Sequence, residues 1–168
     1  MNKELENIIK NLSGSLIGIG IKEENLINKI EKNNKILECN LLDCFEKEEK
    51  IKGRNKKVKI KKIRKKFGKR KTNYIICNYQ RIKEFKDKFI YDSIYLCNNE
   101  IYVYGDELDE NLIRRYCRFS EVQIKNIENK KLYIIKINKN MNKINEIYNK
   151  SIDSIISAID FISNLLTW

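Results

Sequence analysis

The sequence predicts an α/β fold: a layered sheet, mostly parallel, finished by an antiparallel hairpin and followed by a long amphipathic helix. Three observations predict it. Residues 15–43 pass from a short apolar run to helical spacing and back to an apolar run. Residues 72–79 (TNYIICNY) repeat the strand signature and lead into a second helical stretch. Residues 121–127 and 131–138 alternate apolar and polar side chains around Glu128-Asn129-Lys130, which predicts a hairpin.

Residues 2–12 place Leu5, Ile8, Ile9 and Leu12 on one helical face. Leu16, Ile17, Ile19 and Ile21 then form a run too short for a buried helix, and Gly14, Gly18 and Gly20 disfavour helix further. After Lys22 the period changes, and Leu26, Ile27 and Ile30 recur at helical spacing. Glu23 and Glu24 stand in the first turn, where the helix dipole favours negative charge. Asn33-Asn34 ends that helix, and Ile36, Leu37, Leu41 and Leu42 make the next strand. Two strands joined by one helix predict a parallel crossover.

Residues 44–57 read as an exposed connection. Ile60, Ile63 and Phe67 share a helical face that Gly68 terminates, with Val58 off it. Residues 81–91 predict a helix with Ile82, Phe85, Phe89 and Ile90 inward. Residues 93–97 and 100–105 read as two extended runs about an Asn98-Asn99 turn. Residues 106–119 predict a helix, acidic at its start and carrying Arg114 and Arg115 near its end. From about residue 142, Tyr148, Ile152, Ile155, Ile159, Ile162 and Leu166 follow a 4-3-4-3-4 spacing. Ile156, Ala158, Phe161 and Leu165 widen that stripe. The expected organisation is a domain over 1–140 with a basic insertion at 50–71, then a helix over 141–168.

At 168 residues the chain is expected to form one domain with a real core. Its opening residues, MNKELENIIKNL, lack the basic-then-apolar pattern of a secretion signal. No stretch of about 18 apolar residues predicts a transmembrane helix. Five cysteines without a CxxC pair predict a reducing compartment, the cytoplasm. The absence of histidine excludes the usual hydrolytic triads and the common zinc sites, and no metal site is predicted.

Charge is segregated. Residues 50–71 hold 14 of the 35 basic residues and no acidic one, leaving 21 basic against 23 acidic groups elsewhere. A helix docked by Ile60, Ile63 and Phe67 would present Lys59, Lys61, Lys62, Arg64, Lys65, Lys66, Lys69 and Arg70 outward. Such a run predicts polyanion binding with counterion release. RNA is the favoured partner. DNA and an anionic membrane would answer to the same charge. The C-terminal stripe predicts burial or a helical partner, a second copy of the chain among them.

The order of elements resembles a small class I S-adenosylmethionine-dependent methyltransferase, with a three-layer Rossmann-like sheet. In that family the first strand ends in a glycine-rich loop beneath the cofactor, and an acid at the end of the second strand holds the ribose hydroxyls. The fourth strand ends in a polar-aromatic motif near the methyl group. The resemblance covers residues 15–138 in order of elements. It implies that Gly18, Gly20 and Glu38 contact S-adenosylmethionine, with Asp43 as the competing acid, and that Asn78 and Tyr79 stand at the methyl acceptor. The family's acid ahead of the glycines is replaced by Ser15-Leu16-Ile17, and the fourth-strand motif lacks its prolines. The expectation is therefore a degenerate methyltransferase-like domain, its cofactor kept or lost, that binds RNA through its lysines. The alternative is a non-enzymatic scaffold that assembles through the C-terminal helix with a partner or a membrane surface.

Overall fold

A computed structural model describes residues 3–42, 48–52, 67, 71–105, 109–118, 120–127 and 129–138, and the single positions 147, 151, 154, 155 and 158. The elements in chain order are α1 (Lys3–Asn11), β1 (Gly14–Ile19), α2 (Glu24–Lys32), β2 (Ile36–Leu42) and β3 (Glu48–Lys52). Then come β4 (Thr72–Asn78), a 3-10 segment (Tyr79–Phe85), α3 (Lys86–Leu96), β5 (Cys97–Gly105), α4 (Glu110–Tyr116), β6 (Glu121–Ile127) and β7 (Lys130–Lys136). The described strands form one seven-stranded sheet in the order β3-β2-β1-β4-β5-β7-β6. β2, β1, β4 and β5 run parallel, whereas β3, at the far edge, runs against β2. β7 runs against β5, and β6 against β7.

Alternating side chains divide the core between the two faces of the sheet. Leu16, Leu41, Ile76, Tyr102 and Ile134 pack with Leu5 and Ile9 of α1 and Leu26 and Ile30 of α2. Ile17, Ile19, Ile75, Val103 and Tyr133 pack on the other side with Ile82, Phe89 of α3 and Ile113 of α4. The expected α/β layering and the parallel β1–α2–β2 unit are both present. Asn33 joins the first layer together. Its Nδ2 donates to Ile9 O at 2.6 Å and to Leu12 O at 3.0 Å, satisfying carbonyls at the end of α1.

Several boundaries differ from those the sequence predicts. Part of the expected connection over 44–57 is strand β3, because an edge strand needs only backbone pairing and tolerates charged side chains. Residues 93–96, expected to be extended, continue α3, because Ile94 and Leu96 are buried with Phe89 and Ile90 and this packing overrides their β preference. Asn98 and Asn99 lie inside β5 rather than in a turn. Three residues from Cys97 to Glu100 match two from Thr72 to Tyr74, so a bulge absorbs the extra asparagine. Asn99 O then accepts the Ile137 N–H at 2.7 Å.

The reversed β3 decides where the basic segment sits in the topology. β2 leaves the carboxyl end of the parallel strands, and β3 carries the chain back toward their amino end, where Lys52 lies opposite Cys39. β4 starts at the same amino end. There a neutral polar lock joins β1 to β4. Ser15 N–H and Oγ donate to Asn73 Oδ1 at 3.0 and 2.9 Å, Asn73 N–H donates to Ser15 Oγ at 3.0 Å, and Thr72 Oγ1 donates to Ser15 O at 3.0 Å. Within the segment itself, Phe67 is helical and 6% exposed, in the core cluster on the α3–α4 face. Ile60, Ile63 and the lysines expected outward lie outside the described residues. The C-terminal helix does too, apart from Ile147, Ser151, Ser154, Ile155 and Ala158, each helical and exposed.

Candidate functional site

In a doubly wound sheet, ligands settle outside the carboxyl ends of the strands, where the strand order reverses direction. In this chain that point lies between β1 and β4. Its walls are the β1–α2 loop (Gly20, Ile21, Lys22, Glu23), Asn78 at the end of β4, the 3-10 segment that follows, and Tyr104 near the end of β5.

β1 ends because Gly20 takes a φ of +65°, which turns the chain out of the sheet. Its N–H still donates to Leu42 O at 2.9 Å, holding the loop to the end of β2. Neither glycine presents a bare backbone on its side-chain side. A Cβ on Gly20 would stand 2.9 Å from Arg81 Cβ and 3.4 Å from Asn78 O. A Cβ on Gly18 would stand 2.4 Å from Leu41 Cδ2 and 3.1 Å from Ile21 Cδ1. Ile21 turns inward, 5% exposed, and joins the α1–α2 side of the core.

Glu23 also turns toward the crevice. It is the N-cap residue of α2 by backbone, with φ −70° and ψ 110°, yet its side chain makes no cap bond. Its carboxylate instead accepts Asn78 Nδ2–H at 3.2 Å, Tyr104 O–H at 3.1 Å and Lys22 N–H at 3.0 Å. Burial, and then the adjacent Glu23 carboxylate, push the Tyr104 hydroxyl well above the usual tyrosine range. The hydroxyl therefore keeps its proton and serves as a donor. Asn78 is 4% exposed, and its Oδ1 has no hydrogen-bond partner among the described residues.

Gly18, Gly20 and Asn78 are thus brought to one place, at the carboxyl end of the sheet. Glu38 is not. It is exposed, lies opposite Ser15 and accepts Asn40 Nδ2–H at 3.0 Å. It lies four positions before Leu42 at the strand end, about 13 Å at the usual strand rise. Asp43, the competing acid, lies outside the described residues. Tyr79 adjoins Asn78 in sequence but is wholly buried, in the cluster that contains Ile82 and Phe89. Glu23, Arg81 and Tyr104 are the crevice residues that sequence reasoning missed. The signal in the sequence is an acid three residues beyond the last glycine, a position that also suits the first turn of a helix.

Lys59, Lys61, Lys62, Arg64, Lys65, Lys66, Lys69 and Arg70 lie outside the described residues, and Lys71 is exposed. Among the described residues no group of three His, Cys, Asp or Glu side chains could hold a metal ion, and no helix is long and apolar enough to cross a membrane. Cys39, Cys77, Cys97 and Cys117 are buried, outside any disulfide, and burial pushes the Cys117 thiol up to about 12.

No protein-family model matches the chain, and no curated protein matches it in sequence. Solved structures do match in shape. One is an O-methyltransferase family protein from Burkholderia thailandensis, with a TM-score of 0.52 at 6% identity over 80% of this chain. The match spans 55% of that protein's length. Another is TrmK of M. capricolum in complex with the natural cofactor product S-adenosyl-homocysteine, with a TM-score of 0.54 at 14% identity over 98% of this chain and 87% of that one. A third is the B. subtilis M1A22 tRNA methyltransferase TrmK, with a TM-score of 0.49 at 10% identity over 84% of this chain and 68% of that one.

Proposed function

We infer, from the class I S-adenosylmethionine-dependent methyltransferase-like fold of this chain, that the protein is an RNA-binding member of that architecture whose lysine-rich segment makes the contact. The observation that carries this reading is the charge distribution. Fourteen basic residues and no acid fall in residues 50–71, while the rest of the chain is slightly acidic. Positive groups at that density in the sequence repel one another and favour binding of an anion that neutralises them. Lys59, Lys61, Lys62, Arg64, Lys65, Lys66, Lys69 and Arg70 are assigned to phosphate contact, with Phe67 as the apolar anchor that fixes the segment to the domain. RNA is the polyanion to which this reading commits. Residues 1–140 act as the supporting domain and 141–168 as an appended helix. RNA contact of this kind needs no cofactor turnover.

Fluorescence anisotropy with a stem-loop RNA tests the reading. Affinity should fall steeply with salt, with a log–log slope of about −4 or steeper. Reversing Lys61, Lys62, Lys65 and Lys66 to Glu should weaken binding by about a hundredfold and flatten that slope. Equal affinity of the two proteins, or tighter binding to anionic vesicles or duplex DNA than to RNA, would contradict it.

One observation favours a second reading, assembly through the C-terminal helix. Ile155, in the middle of the apolar stripe, is 59% exposed, and Ile147 is 60% exposed. A helix that shows two isoleucines to water suits self-association. Light scattering of the purified chain should then show a dimer that Ile155→Glu dissociates.

A further inference from the structure

We infer that the crevice at the β1–β4 switch point is closed by the chain itself, with the Glu23 carboxylate standing as a resident occupant in place of a nucleoside cofactor. This inference does not rest on RNA binding. Three features of one loop carry it. Ile21 folds back over Gly18 and into the core. Arg81 covers Gly20. Glu23 gives up side-chain capping of α2 to bridge the ends of β4 and β5, taking one donor from Asn78 and one from Tyr104.

That bridge competes with the ligand that the fold implies. S-adenosylmethionine would bring its own carboxylate and a nucleoside to the carboxyl ends of these strands. The donors there already serve Glu23. The methionyl carboxylate of an incoming cofactor would have to take those donors from Glu23. Cofactor entry would also require Arg81 to leave Gly20, a residue whose positive φ keeps the loop in its present turn. The residues present therefore hold the loop shut: Glu23 is a positioning residue that ties the β1–α2 loop across the two strand ends.

The test uses the full chain, nitrogen-15 labelled, with S-adenosyl-homocysteine as the probe. Calorimetry of the unaltered protein should show no saturable binding up to about 1 mM ligand. In heteronuclear NMR the Asn78 side-chain amide pair, identified by its loss in Asn78→Asp, should move clearly in Glu23→Ala and Glu23→Gln. It should stay in place in Glu24→Gln, which alters an exposed acid on the same helix turn. Glu23→Gln keeps the side chain's shape, so it decides the matter if Glu23→Ala fails to fold. Saturable binding tighter than about 1 mM would overturn the inference. An Asn78 amide that is indifferent to Glu23→Gln would overturn it equally.

Discussion

The two ends of the parallel strands are built from different chemistry. At the carboxyl end, one charged side chain, Glu23, joins β4 and β5 to the β1–α2 loop. At the amino end, Ser15, Thr72 and Asn73 join β1 to β4 through neutral groups alone. The first end is where this architecture would hold a ligand. The second is where the chain re-enters the sheet after the basic segment. A charged, loop-borne clasp fills a space between strand ends, whereas a neutral, strand-borne lock fixes the spacing of two neighbouring strands. The contrast suggests that damage at the amino end reaches the basic segment and damage at the carboxyl end does not.

The largest expected effect is at the amino end. Gly14 has a φ of +97°, and a Cβ there would stand 2.5 Å from Asn73 Oδ1. Gly14→Ala should therefore break the lock and cost about 2–4 kcal/mol in urea denaturation, with a several-fold loss of RNA affinity at fixed salt. Asn73→Ala removes the same acceptor without the clash and should cost about 1–3 kcal/mol. At the carboxyl end, Gly18→Ala drives a methyl group against Leu41 and should cost about 1–3 kcal/mol while leaving RNA affinity unchanged. A parallel fall in affinity would break the contrast. Lys125→Ala deletes an exposed pair with Glu4 at 2.7 Å and should cost under about 1 kcal/mol at neutral pH.

The smallest effect is a pH dependence on the β7 flank. Lys131 donates to the Glu110 carboxylate, and with Tyr133 holds it below the usual carboxylate range. Gln123 and then Lys136 do the same for Glu121. A carboxylate depressed by folding adds stability above its unfolded pKa and loses it as pH falls through the folded value. These pairs should thus hold at neutral pH and fail in acid. A Glu110→Gln, Glu121→Gln double variant should show a slightly shallower acid limb in urea midpoints, and added salt should shrink the difference.

Much of this molecule is legible in its sequence. The change of period across residues 15–43 identifies the parallel crossover, and TNYIICNY identifies a strand that indeed lies centrally, between β1 and β5. Alternation over residues 121–138 identifies the closing hairpin. β3 was not legible, because EEKIK carries no apolar alternation and its pairing with β2 is a backbone matter. The Asn98-Asn99 pair misled because a bulge and a turn use the same residues. In the crevice, the family resemblance groups Gly18, Gly20, Glu38, Asn78 and Tyr79; the structure brings Gly18, Gly20 and Asn78 to one end of the sheet, whereas Glu38 lies partway along β2 and Tyr79 is buried. The meeting of Glu23 with Tyr104 is not legible because it spans 81 residues of chain and depends on which strand end each occupies. Local pattern reports the period of an element. It does not report which loop folds back over its own glycines.

Photochemical cross-linking of RNA to the full chain, with the modified peptides identified by mass spectrometry, tests the central claim most directly. Adducts concentrated in residues 56–71, and unchanged by Glu23→Gln, are the predicted result. Adducts confined to peptides carrying Gly20, Glu23 or Asn78, with residues 56–71 unmodified, would contradict it.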